Sequence, residues 1–528
     1  MLPADPPPRH PAFFSLPSLA LIAPLCVIGA VIGTELITTL GVTTNTALFG
    51  ALAGMALARL PPAIFGHYKS THMQNLAQSA ISSATFGAGN ALLLPIGIPF
   101  VLGRPDLVGP MFLGVFLAML VDGWLMYRLF DSAAFPASGA WPQGTATAEV
   151  IRAADEGDHH GAVLVAGLAV GVIGALYRAP MAAFGVAFIG NRWALGMFAA
   201  GLLLRGHTGE LFAWLTPGTD LMRAYVPHGL MLGAGIVALV QMTMLLARRT
   251  AAPGAGRALG QSGAAYLAIA VLLALAGGLT SSMPTGMLLL FIAYAAFAAL
   301  LHGLVVGLAA MHAGWLPTFA VALITLLVGM LIGFPPVALC LLVGFTAATG
   351  PAFANMGNNL KTGYLLRDQG ADPAFERAGR KQQLYAAMFA FAVAGAVVWF
   401  THGAYFEAGR VPPVDRVYVA TIQAGVSAEL AWQLAIWAIP GAMLQFLGGP
   451  TRQLGLMLAT GLLLLNPAAG WAVLLGLLAR REFTRQTKGK REAEMQTFAA
   501  GMIAGDALVS FYDTVSRAMA APKWWRAL

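Results

Sequence analysis

Apolar residues fill this chain in blocks long enough to cross a lipid bilayer. A hydrocarbon core about 30 Å thick needs roughly 20 apolar residues of helix. Such blocks recur at 18–40, 43–60, 70–94, 107–130, 160–178, 184–204, 225–247, 263–281, 285–312, 314–333, 336–354, 382–402, 430–447, 452–480 and 496–516. The pattern predicts an all-α, polytopic membrane bundle of about 14–16 transmembrane segments. Breaks or re-entrant turns are expected where proline and glycine interrupt the blocks. Leu92 to Leu102 holds Pro95, Gly97 and Pro99, which predicts a broken helix, and Asn466-Pro467 divides or kinks the 452–480 run. The apolar membrane body covers 18–516. Residues 1–17, with the proline-rich stretch Pro3 to Pro11, read as a disordered segment, and 517–528 as a short tail. Arg9 and His10 precede the first block, but it runs past Ile32 without a small-residue cleavage site, so a retained span is expected.

Composition narrows the classes further. Of 528 residues, 58% are hydrophobic and only 10% are charged, against about 25% in a soluble domain. A soluble enzyme, a nucleic-acid binder and a disordered scaffold are excluded. The net charge of +8 reads as cationic loops beside an anionic membrane surface. The basic stretches at 248–257, 367–381 and 480–491 are expected on the cytoplasmic side. Cys26 and Cys340 lie in apolar runs, which argues against a disulfide framework or a cysteine metal site. No cofactor and no protein-held metal is expected. Gly50 with Gly54, Gly167 with Gly171, and Gly303 with Gly307 repeat at helical spacing and predict close backbone packing.

Polar groups inside such blocks need partners, because an unpaired one costs several kcal/mol in hydrocarbon. Asn75, Gln78, Ser79, Ser82 and Thr85 share one helix face, which predicts a wet cavity wall or an interhelical bonding stripe. Phe135 to Gly144 is interrupted by two prolines and two glycines. A helix opening at Thr145 would then leave free amides, a site for a carboxylate. Asn355, Asn358, Asn359, Lys361, Thr362 and Tyr364 directly follow an apolar run; Lys361 would meet a substrate carboxylate, an acidic side chain or lipid headgroups. Glu35, Asp122, Glu149, Glu429 and Asp506 are the carboxyls in or near spans, and are the candidates for proton coupling. The stretches around Asn75 and Asn359 share a polar-Asn-Leu core about half a chain apart, each flanking or opening a span, which suggests a two-half repeat.

No catalytic constellation is evident. His159-His160 lies in a charged loop, Ser138 has no base partner in sequence, and neither a phosphate-binding glycine loop nor a zinc helix occurs. An intramembrane hydrolase or acyltransferase would need a nucleophile and base in contact. A channel could not concentrate its solute.

Trp141-Pro142-Gln143-Gly144-Thr145-Ala146-Thr147-Ala148 resembles the aromatic-Pro-x-Gly-Thr-Ala-Thr-Ala signature of the oligopeptide transporter family, which includes the yellow-stripe-like transporters of metal chelates. Asn358 to Leu365 resembles its Leu-Lys-Thr-Gly-Tyr-Leu signature, Asn75 to Ala80 its Asn-x-x-Gln-Thr-Ala segment, and Ala500 to Leu508 its Ala-Gly-x-Ile-Ala-Gly-Glu segment. The resemblance is to a bacterial member. It implies a multi-pass inner-membrane homodimer working by alternating access and taking up short peptides or peptide-like metal chelates with protons. Carriers of another amphipathic zwitterion, or of a metal siderophore only, stay open. Within such a carrier Asn75, Gln78, Ser79, Gln143, Gly144, Thr145, Thr147, Asn358, Asn359, Lys361, Thr362 and Tyr364 are the residues expected to bind substrate. Gln143 stands where relatives often have Ser or Glu, Asn359 where Asp is frequent, and Asp506 where Glu is usual. Lys361 therefore lacks an adjacent acidic partner.

Overall fold

The computed structural model describes residues 10–40, 47, 66–156, 159–208, 221–222, 224–248, 255–314, 316–425, 428–464, 466–488 and 490–520. Among the described residues the regular elements are helices, as backbone groups in lipid require. The main ones are α1 (Leu16–Leu40), α2 (Thr71–Phe86), α3 (Leu94–Val101), α4 (Val108–Leu129), α5 (Pro142–Glu156), α6 (His159–Leu176) and α7 (Met181–Ile189). They continue as α8 (Arg192–Gly206), α9 (Val226–Arg248), α10 (Ala255–Ala276), α11 (Thr285–Ala313), α12 (Thr318–Ile332), α13 (Pro336–Ala348) and α14 (Pro351–Leu366). The last are α15 (Pro373–Glu407), α16 (Pro413–Ala424), α17 (Ala428–Arg452), α18 (Leu454–Leu463), α19 (Pro467–Thr487) and α20 (Glu492–Ala520). Seven helical stretches among the described residues are long and apolar enough to cross a membrane, and four shorter apolar helices accompany them. Apart from Ala47, the expected span at 43–60 lies outside the described residues, as does the Gly50–Gly54 pair. So do residues 1–9 and 521–528. From His10 onward the N-terminal segment is anchored: the Phe13 N–H donates to Gln382 Oε1 at 2.7 Å, and Phe13 is fully buried.

Two of the spans, Thr71–Val101 and Pro336–Leu366, are each built from two helices in series. The first stays helical through Pro95 and Pro99, where the sequence predicts a break. Its irregularity comes earlier, as a π-turn over Gly87–Leu93 in which the Leu94 N–H reaches back to Gly89 O. That wider turn restarts the helix at Leu94, so the donor missing from Pro95 falls in a first turn where none is needed. The second breaks at Thr349 and Gly350. Gly350 takes φ +98°, a left-handed conformation that glycine adopts without strain, and Pro351 opens α14. Asn466-Pro467 likewise separates two helices, α18 and α19, with the Asn466 side chain accepting from the Ala469 N–H at 3.0 Å.

The polar stretch from Asn358 to Tyr364 was expected to follow a span ending at 354. Instead it lies within the second broken span, buried up to Gly363. It stays in the interior because α2 answers it. Asn359 Nδ2 donates to Ser79 O and Ser83 Oγ, both at 3.3 Å, while Asn355 bonds Ser82 and Ser83. Rising numbers in α2 thus meet falling numbers in α14, so the two run antiparallel where they touch. Asn75 sits in the first turns of α2, whereas Asn359 sits in the middle of α14. The two do not open equivalent segments.

Small residues set the closest crossings. Along α6 and α20, Gly167 and Gly171 abut the backbones of Phe498 and Met502, while Gly501 and Gly505 abut Leu164 and Leu168. The seam is reciprocal, backbone against backbone. Gly229, Gly233 and Gly441 do the same between α9 and α17. Gly307 instead accommodates the rings of Phe353 and Phe135, and Gly303 touches nothing closely. Replacing Gly501 with Leu should force α6 and α20 apart, costing about 1–3 kcal/mol. A clear fall in the melting midpoint of the detergent-purified protein is expected, and an unchanged midpoint would contradict this seam.

Candidate functional site

The amide stripe of α2 is closed off by a residue the motifs do not include. Gln383 on α15 reaches between α2 and α14, its Nε2 lying 2.6 Å from Asn359 O, 3.1 Å from Ser79 Oγ and 3.3 Å from Asn75 Oδ1. Gln78 Nε2 donates to Asn75 Oδ1 and Ser79 Oγ at 2.8 and 2.9 Å. Asn75, Gln78 and Ser79 are fully buried. This face does not line the cavity described below: it turns to α14 and α15, with Gln78 bonded within α2 and Asn75 Nδ2 and Gln78 Oε1 left without a partner among the described residues. Gln383 Oε1 in turn accepts from Arg367 Nη1 at 3.0 Å. Arg367 Nε donates to Glu376 Oε2 at 2.6 Å, and Arg380 Nε to Glu376 Oε1 at 2.6 Å. A buried carboxylate shared by two guanidiniums therefore ties the end of α14 to the start of α15.

The other two motif segments cross each other. Trp141 takes φ +39° with its N–H donating to Met311 O at 2.9 Å, and α5 begins at Pro142, three residues before the expected start. The free amides foreseen at Thr145 are consequently already used. The Thr145 N–H donates to Trp141 O at 2.9 Å, and the Gly144 N–H donates to Asn358 Oδ1 at 3.2 Å. Thr362 Oγ1 donates to Gly144 O at 2.9 Å, and a Cβ at Gly144 would collide with the backbone of α14. Gln143 Nε2 bonds Gly314 O at 2.8 Å, and Thr147 Oγ1 bonds Gln143 O at 2.9 Å. Gly144, Asn358 and Thr362 hold α5 on α14, Gln143 ties α5 to the end of α11, and Thr147 bonds within α5.

Lys361 emerges from that crossing. Its Nζ donates to Ala137 O at 2.9 Å and lies 5.6 Å from the Tyr364 ring, and no carboxylate among the described residues pairs with it. It faces a cavity of about 1430 Å³ between α5, α14, the α7–α8 turn, α19 and the start of α20. Thr145 and Tyr364 share that wall. Arg152, Arg192, Arg480, Arg481 and His312 also line it, against the acids Glu149 and Glu492. Arg480 Nη1 donates to Gly190 O at 2.7 Å, and Arg152 Nη1 lies 3.5 Å from Glu149 Oε1. The wall is cationic overall, suited to a solute carrying carboxylates.

A family model described as OPT oligopeptide transporter protein matches residues 18–267 and 262–516. The chain belongs to that family. All four motif segments fall inside the matched residues. The protein is a multi-pass membrane transporter of oligopeptides or similar solutes, and not an enzyme. No curated protein matches the chain.

Within this oligopeptide transporter the candidate carboxyls differ sharply in setting. Asp122 is fully buried at the break of the second span: Oδ2 accepts the Gly350 N–H at 2.7 Å, and Oδ1 accepts the Tyr266 hydroxyl. It caps the polar half-helix α14. Glu35 is ion-paired with Arg410 and accepts from Tyr405 Oη at 2.7 Å. Glu149 stands on the cavity wall, accepting from Thr497 Oγ1 at 2.9 Å. Asp506 Oδ2 accepts the Ala182 N–H at 3.0 Å, in the first turn of α7. Glu429 is exposed at the start of α17, bonded to Gln433 at 3.3 Å.

Sequence reasoning missed Gln383, Asn191 and Arg480. Asn191 immediately precedes α8 and caps it through Trp193 and Ala194, a readable helix-start signal. Gln383 is an amide at the edge of an apolar block, the same signal that drew attention to Gln78. Replacing Glu376 with Gln leaves Arg367 buried beside no carboxylate, which should cost about 3–5 kcal/mol. A melting midpoint close to that of the unaltered protein would contradict the shared-carboxylate role.

Proposed function

We propose that this transporter takes up short peptides or peptide-like metal chelates across the inner membrane, driven by protons and assembled as a homodimer. The observation that carries the reading is Lys361, an ammonium on the wall of a large cavity with no carboxylate partner among the described residues. A desolvated cation of this kind favours an anionic ligand group, and the C-terminal carboxylate of a peptide supplies one. The neighbouring Thr145, Tyr364 and Gln496 offer hydroxyl and amide groups to a peptide backbone or a chelator. The volume accommodates a ligand of several residues. The direction, the coupling ion and the dimer rest on the family resemblance.

The test is uptake of labelled di- to tetrapeptides and of iron or nickel chelates into proteoliposomes with an imposed pH gradient. Accumulation that disappears with a proton ionophore supports coupling. Replacing Lys361 with Met keeps the bulk and removes the charge. A lost charge-assisted bond of about 1.5–3 kcal/mol predicts an apparent KM raised roughly ten- to hundredfold. Unchanged KM and rate in that variant would remove Lys361 from the site.

A further inference from the structure

One buried acid belongs to none of the motifs and takes no part in the cavity. Asp415 lies in the first turn of α16, fully buried, and neither carboxyl oxygen has a hydrogen-bond partner among the described residues. The five carboxyls considered above all have a donor or a cation beside them; this one has neither. Its surroundings are built around it. The carboxyl rests against Gly97 of α3, where any Cβ would overlap Oδ2, and Pro412 closes the same side. The glycine therefore makes the space the acid occupies.

The position of the acid matters as much as its isolation. α16 packs on α3, α13 and α12, and α3 and α13 are the apolar halves of the two broken spans. The polar halves, α2 and α14, form the amide network, and the cavity adjoins α14. Asp415 thus sits at the tightly packed end of the same pair of spans. The groups facing it are few. α3 and α12 carry no titratable side chain, α13 supplies the thiol of Cys340, and α16 itself supplies Tyr418, whose hydroxyl donates to Phe319 O at 3.1 Å. Arg416, next along α16, is exposed. α1 approaches α16 lightly, and its Glu35 is held by Arg410 and Tyr405. Among the described residues no cation is close enough to balance a charge here.

A carboxylate stranded in such a site costs several kcal/mol, so the group holds a proton while these helices are packed. It can lose that proton only when α3, α13 and α16 separate and water enters. Proton occupancy and closure of this end are thereby linked, as alternating access requires of a coupling site. Resting on the proton-driven reading above, we propose that Asp415 is the group that binds the coupling proton, held while the apolar half-helices are closed on it and exchanged with water when they part.

The experiment reconstitutes the full-length protein and its Asp415→Asn variant in proteoliposomes. Under an imposed pH gradient the unaltered protein accumulates labelled peptide, and D415N is expected to fall to the gradient-free level. D415N should still exchange internal labelled for external unlabelled peptide with a similar KM, since the cavity is untouched. D415N that accumulates peptide as fully as the unaltered protein overturns the proposal. Accumulation by the unaltered protein that ignores a proton ionophore overturns the coupling reading itself, a result seen without any variant. Should D415N not fold, infrared spectra of the unaltered protein and Asp415→Glu decide the matter. A protonated-carboxyl C=O band at neutral pH that moves in D415E supports the proposal, and identical spectra in that region refute it.

Discussion

The fold answers to the absence of water in the bilayer interior, where a polar atom without a partner within the protein is costly. The long run of amides and hydroxyls along α2 exists at membrane depth only because α14 and α15 present matching groups. Asn359, Asn355 and Gln383 fill that role, and Gln383 passes the chain of bonds on to Arg367 and Glu376. The two broken spans therefore divide their labour. One half of each is polar and tied into this network, and the other half is apolar and packs without it.

The cavity inherits its character from that arrangement. With the amide stripe turned toward α14 and α15, the wall on the far side of α14 is furnished by Lys361 and by arginines from α5, the α7–α8 turn and α19. Charge is the leading feature of the cavity wall, and hydrogen-bonding side chains from α5 and α14 are secondary to it. The crossing of α5 over α14, fixed by Gly144 against Asn358 and Thr362, sets how far Lys361 projects.

The length of the apolar blocks made the helical membrane bundle legible, and Asn466-Pro467 marked a real division between helices. The segments 141–148 and 358–365, singled out separately in the sequence, do meet in space. Their pairing with each other was not legible, because the contact between Gly144 and Asn358 joins residues far apart in the chain. The stripe from Asn75 to Ser79 reads in the sequence as a cavity wall with an interhelical bond as the alternative, and the location of Gln383 sets the face against α14 and α15. The drop in hydropathy after 354 looked like the end of a span, since buried asparagines are indistinguishable from surface ones until their partners are known. Asp415 escaped notice because α16 is too short and too polar to register as a span.

The glycine seam between α6 and α20 carries a mechanical meaning. Where peptide backbone rests directly on peptide backbone, no side-chain rotamer can absorb a relative shift, and the pair behaves as one girder. Through Glu492 and Gln496 that girder reaches the cavity rim, and through Thr497 it grips Glu149 of α5. A rocking motion that opened the chamber would have to swing these two helices as a unit, with bending confined to the turns at either end.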